Sequence, residues 1–152
     1  MMGYIGLSIS AIFSLASFNA TVFDEVRANY NKAMSDKQLC KKMIAVLDKE
    51  KNHSATHLAY LGGVQTIWAN HVFNPLSKLD TFKEGKKNIE RAITKEPDNV
   101  ELRFIRLSVQ KNAPRFLGYR SKVKEDTEFI QKNPYQIDSE ILRKNIETLL
   151  KD

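Results

Sequence analysis

The 152-residue chain has a single cysteine, Cys40, so no internal disulfide is available and the fold rests on its packed core. Cys40 sits among apolar residues at helical spacing, which makes it a small buried hydrophobe rather than a nucleophile. Four prolines and six glycines are few for an all-β chain. No segment alternates apolar with polar residues as a strand does, and the Asn-Gly and Asp-Gly pairs that mark hairpins are absent. Catalytic signatures are missing as well: there is no G-x-S-x-G elbow, no P-loop and no C-x-x-C. No catalytic residue nominates itself, and no cofactor is implied. The 24 lysines and arginines outnumber the 18 acids for a formal charge of +6, but the two signs are interspersed, which describes a basic protein without pointing to nucleic acid.

Charge of either sign is absent before Asp24. The opening stretch "MMGYIGLSISAIFSLASFNA" is apolar or small throughout and reads as a secretory signal peptide over residues 1–20, cut near Ala20. It lacks a basic n-region, and Phe18 stands where a small residue is preferred; the alternative is an uncleaved membrane anchor, near the lower limit of the ~17–25 residues a span needs. No cysteine follows the apolar run, which argues against a lipoprotein anchor. The expectation is an exported chain, periplasmic or secreted, whose residues 21–152 form a single all-helical domain without a membrane span.

What is present is helical periodicity. Seven helices are expected: about Thr21–Met34, Ser35–Lys51, Ser54–Phe73, Ser77 or Asp80 to Thr94, Val100–Lys111, Ser121–Lys132 and Ser139–Leu150. Ser35-x-x-Gln38 has the capping-box spacing, Asp98 with Glu101 repeats it, and Ile137 and Leu142 flank Asp138 as a hydrophobic staple does. The third helix is apolar on two sides, with Leu58, Leu61 and Trp68 on one and Tyr60, Val64 and Ile67 on the other, so it belongs in the middle of the fold. Gly62 and Gly63 within it each cost ~1 kcal/mol relative to Ala, which makes sense where another backbone approaches closely.

The segment "GKKNIERAITKEPDNVELRFIRL" resembles the second helix of a tetratricopeptide repeat entering the next repeat: Gly85, Ile89, Ala92 and Pro97 stand at the small, apolar, small and terminal-proline positions. Upstream, Leu61-Gly62 in "LAYLGGVQ" resembles the first helix of such a repeat, but it lies about eleven residues too far from Gly85 for the ~34-residue period, the excess being "NHVFNPLSKLD". The resemblance implies a degenerate array of stacked antiparallel helix pairs, a TPR-like α-α superhelix, acting as a scaffold for protein or peptide contacts. The whole chain also resembles small exported helical proteins of Bacteroidetes-type bacteria that carry no assigned activity.

The stretch "RFIRLSVQKNAPRFLGYR" gathers basic and aromatic side chains without an acid. Arg103, Arg106, Arg115, Phe116, Tyr119 and Arg120 are the binding residues it nominates, with a protein carboxylate or acidic surface as the partner. The competing structural reading has Phe116, Leu117 and Tyr119 packing the loop onto the core while Arg103 and Arg106 pair with Glu84 or Glu90. Asp126, beside Glu125, is expected on a solvated face, and Trp68 in the core. His53 and His57 are spaced i, i+4, but Ser54 starts the helix between them, and no Glu completes an H-E-x-x-H metal motif. The expected function is a non-catalytic binding module for a protein partner, or a self-associating one. A small-ligand or enzymatic pocket near His57, His71 and Arg103 is the alternative.

Overall fold

The computed structural model describes residues 23–49 and 54–152; the expected signal peptide and His53 lie outside them. Among the described residues there are seven helices and no strand, which establishes the all-α class. They are α1 (23–29), α2 (Lys37–Asp48), α3 (Ala55–His71), α4 (Pro75–Lys95), α5 (Val100–Asn112), α6 (Val123–Lys132) and α7 (Glu140–Lys151). Short 3-10 turns at Lys32–Met34, Arg115–Leu117 and Pro134–Gln136 join them. None of the described helices is long and apolar enough to cross a membrane.

Ser54 caps α3 as expected, accepting from the His57 amide at 3.1 Å. In three other helices the cap is one residue later than the capping patterns place it. Ser35 is αR and its amide and hydroxyl both donate to the Lys32 carbonyl, so it closes the preceding turn. Asp36, which is extended, accepts from the Leu39 amide instead. By the same logic Asn99 rather than Asp98 caps α5, and Ser139 rather than Asp138 caps α7. The fourth helix starts at Asn74-Pro75, ahead of the expected Ser77 or Asp80: Asn74 accepts from the Leu76 and Ser77 amides, and Pro75 occupies the first turn, where its missing N–H costs nothing. The sixth helix is also shorter than expected, and the Lys122 amide before it is satisfied from another element, by Gln110 Oε1 at 2.9 Å.

Helix α3 is the hub. Nearly its whole circumference is buried, from Ala55 to Ala69, as its two-sided pattern requires. Helix α2 packs antiparallel to it, with Cys40 Sγ 3.5 Å from the Val64 carbonyl and the Leu47 carbonyl bonded to His57 Nε2. Helix α4 folds back along the other side: Gly62 meets Gly85 and Ile89, and Asn88 donates to Gln65 at 2.8 Å. A Cβ on Gly62 would lie 2.5 Å from the Gly85 carbonyl oxygen, and one on Gly85 would lie 2.6 Å from that of Gly62. The two glycines therefore set the α3–α4 distance. Gly63 makes room for the Tyr30 ring, whose hydroxyl meets Ser108 Oγ at 3.0 Å.

Helix α1 is fastened to α5 by a bidentate pair, Arg27 Nε and Nη2 donating to Glu101 at 2.6 and 2.8 Å. The buried Tyr60 hydroxyl donates to the same carboxylate at 2.6 Å, which ties α3 in as well. Trp68 is only half-buried, with the Lys37 ammonium 5.7 Å above its ring.

Candidate functional site

The basic stretch divides in two. Arg106 is buried, and its Nε and Nη2 donate to Asp126 Oδ2 and Oδ1, each at 2.7 Å, while Nη1 reaches Glu90 at 3.1 Å. Arg103 Nη1 donates to Asp126 and Glu125 at 3.1 Å, and its Nε and Nη2 hold the Pro97 carbonyl. Gln110 donates to Asp126 Oδ2 at 3.0 Å. Asp126 is thus fully buried with four donors around it, where its place in the sequence suggested a solvated face. It is the pin that holds α6 antiparallel on α5. Glu90 also accepts from the Tyr119 hydroxyl at 2.6 Å, and burial followed by that carboxylate pushes the phenol far above its ordinary range. Exposed Glu125 is held below the usual carboxylate range by Lys122 and then Arg103.

Arg120 is consumed too: its Nε and Nη2 donate to the Gln110 and Lys111 carbonyls, each at 3.1 Å, closing the C-terminal end of α5. Arg115 and Phe116 are the remainder. Phe116 does not pack onto the core as the structural reading had it; it is 86% exposed. Arg115 is exposed, and no side-chain hydrogen bond or ion pair engages it among the described residues. Leu117 packs against the core and Gly118, at φ 65°, turns the chain so that Phe116 projects while Tyr119 turns inward.

The polar pocket of the alternative reading does not assemble from His57, His71 and Arg103. His57 and His71 lie near the two ends of α3, about 20 Å apart at the helical rise. His57 meets the Leu47 carbonyl and His71 the Ala33 carbonyl, the latter at 3.0 Å. Arg103 faces α6. No group of three or more His, Cys, Asp or Glu side chains among the described residues is placed to hold a metal ion.

A concave feature lies elsewhere. A solvent-open groove of about 540 Å³ lies at the end of the fold where α3 and α5 finish and α4 begins. Its floor is Tyr30, Thr66, Ile67 and Ser108. One wall is the i, i+3, i+4, i+7 stripe of α4, Pro75, Lys78, Leu79 and Phe82. Val109, Ala113, Pro114, Phe116 and Leu117 line it from the end of α5 and the turn after it, and Met34 and Leu149 are also in the lining. Polar groups are few: Asn31, Asn70, Lys78, Asn112, Thr148 and Asp152, together with the satisfied hydroxyls of the floor. Phe73 and Leu76, 94% and 75% exposed, flank Pro75 beside it. Thus Phe116, one of the two nominated residues left free, lines a groove that the sequence did not reveal, and Arg115 directly precedes it in the chain. One signal pointed to the groove: Asn70, Pro75, Lys78 and Leu79 all fall within "NHVFNPLSKLD", the excess over the repeat period.

No protein-family model, curated protein or solved structure matches this chain.

Proposed function

We propose that the protein is an exported, non-catalytic helical scaffold of TPR-like construction that receives a protein partner in this groove. The observation that carries the reading is an open apolar groove whose lining includes large side chains left in water, Phe116 and Met34, with exposed Phe73 and Leu76 close by in the chain on either side of Asn74-Pro75. A cluster of this kind marks an interaction surface, whereas single exposed apolar residues need no explanation. The antiparallel pairing of α2 with α3, α3 with α4 and α5 with α6 supports the scaffold reading, and the apolar run before Asp24 supports export. A photo-crosslinking residue at position 116 tests it, with position 135 as control. Tyr135 is another exposed aromatic, at the opposite end of α5, where Gln136 bonds the Val100 amide. Crosslinking from 116 to one defined protein, and not from 135, is the expected result; equal capture or none from both refutes it. A crosslink to a second copy identifies the self-associating form. N-terminal sequencing of the exported fraction is expected to begin near residue 21.

A second reading has a specific observation behind it. About 540 Å³ falls within the ~300–1,000 Å³ typical of small-molecule sites. Native mass spectrometry of the purified protein separates the two: a bound small molecule, with no protein crosslinked at 116, replaces the first reading with this one.

A further inference from the structure

The polar groups at the groove define the chemistry of its occupant. We propose, building on the scaffold reading above, that the groove takes an acidic amphipathic helix. The apolar face of that helix fills the groove, and its carboxylates meet Lys78 on α4 and Arg115 in the turn after α5.

The inference starts from which charges are already spent. The carboxylates nearest the basic stretch are already paired: Asp126 and Glu90 hold Arg106, Glu125 holds Arg103, and Glu101 holds Arg27. No such partner reaches Lys78 or Arg115 among the described residues, and both are exposed. Lys78 lines the groove from α4, and Arg115, outside the lining itself, lies in the chain between the lining residues Pro114 and Phe116. A third cation, Lys37, lies 5.6 Å from the exposed Phe73 ring. The one acidic side chain lining the groove is Asp152, beyond the end of α7. An apolar channel beside unpaired cations complements a helix with leucine or aromatic anchors at i, i+3, i+4 and i+7 and carboxylates along its margins. A basic amphipathic helix of equal hydrophobicity would place like charge against both cations.

The test is a display selection against the full chain. The library holds amphipathic peptides about 16 residues long, roughly four turns, with apolar residues fixed on one face and every other position free to be acidic, basic or neutral. Binders enriched in Asp and Glu are expected, weakening about tenfold or more against K78E/R115E and weakening as salt rises. Both substitutions are at exposed positions, and an unchanged circular dichroism spectrum verifies the fold of the variant. Selection against K78E/R115E is expected to turn the enrichment toward Lys and Arg. Binders that are lost on Phe116→Asp but show no charge bias, or a basic one, overturn this inference and leave the scaffold reading standing. Binders indifferent to Phe116→Asp, or no binders at all, overturn the scaffold reading with it.

Discussion

Removing the charge from Asp126 tests whether the buried network is the fastener between α5 and α6. In Asp126→Asn the side-chain shape is kept, but one oxygen becomes an NH2 facing donors. Two of the four hydrogen bonds to Asp126 come from Arg106 at 2.7 Å, one from Arg103 at 3.1 Å and one from Gln110 at 3.0 Å. At least two of these donors lose their acceptor, at ~1–3 kcal/mol each, and Arg106 is left as a buried cation with only partly exposed Glu90 beside it. Breaking a buried pair from one side costs ~3–5 kcal/mol, so the two routes agree. Against a total stability of ~5–15 kcal/mol that is a large fraction, and at ~2–4 °C per kcal/mol it lowers Tm by roughly 6–20 °C. Urea unfolding followed by circular dichroism is the assay, with the midpoint falling and the m-value unchanged. Replacing Arg106→Met together with Asp126→Leu is expected to cost less than Asp126→Asn alone, because Arg106 is then no longer a stranded buried charge, although Gln110 and Arg103 each lose one acceptor. A loss below about 1 kcal/mol for Asp126→Asn, or a double variant less stable than the single, refutes the reasoning.

Gly85→Ala gains ~1 kcal/mol of helix propensity yet is expected to destabilise, since its Cβ meets the Gly62 carbonyl oxygen at 2.6 Å and backbone cannot step aside; a raised urea midpoint would contradict this. Burial pushes the Tyr30 phenol from 10.0 up to about 12 and the Cys40 thiol from 9.0 up to about 11, and Tyr60 and Tyr119 shift the same way. The fold favours their neutral forms, so their contribution is full below about pH 9 and lost as pH rises through 9 to 12. The absorbance change of these phenols should coincide with unfolding, and their ionisation near pH 10 in a chain still helical would refute the assignment. Arg120→Met should leave global stability within ~1 kcal/mol but raise amide exchange over residues 115–118, because Arg120 closes the α5 end from which this turn departs; unchanged exchange means the turn is held otherwise.

The helices were readable because their information is local. Periodicity, two-sidedness and punctuation by Pro and Asn depend on neighbours in sequence, and α3 as the hub followed from Leu58, Tyr60, Leu61, Val64 and Ile67 covering more than one face. Cap positions slipped by one residue at Asp36, Asn99 and Ser139 because two adjacent polar residues can each accept, and the choice falls to whichever is extended. Gly62 announced a close approach, but its partner Gly85 is paired with it only by the α3–α4 fold. Asp126 was misread for the same reason: beside Glu125 on a charged helix it looks solvated, and only the docking of α6 on α5 seals it under Arg106.

The candidate site shows the opposite limit. Basic residues in a row suggested one anion-binding surface, yet spacing along the chain says nothing about which carboxylates the fold brings opposite. Once Asp126, Glu90 and the α5 carbonyls take Arg106, Arg103 and Arg120, the stretch has no common surface, and what survives is set by Gly118, which turns Tyr119 inward and leaves Phe116 out. The groove itself is a product of lengths. The residues from Asn70 to Asp80 finish α3 and start α4, and carry the wall formed by Pro75, Lys78 and Leu79. A segment that fails to fit a repeat was therefore a better pointer to the site than the charge beside it: the misfit adds wall, whereas the charge was drawn into the fold.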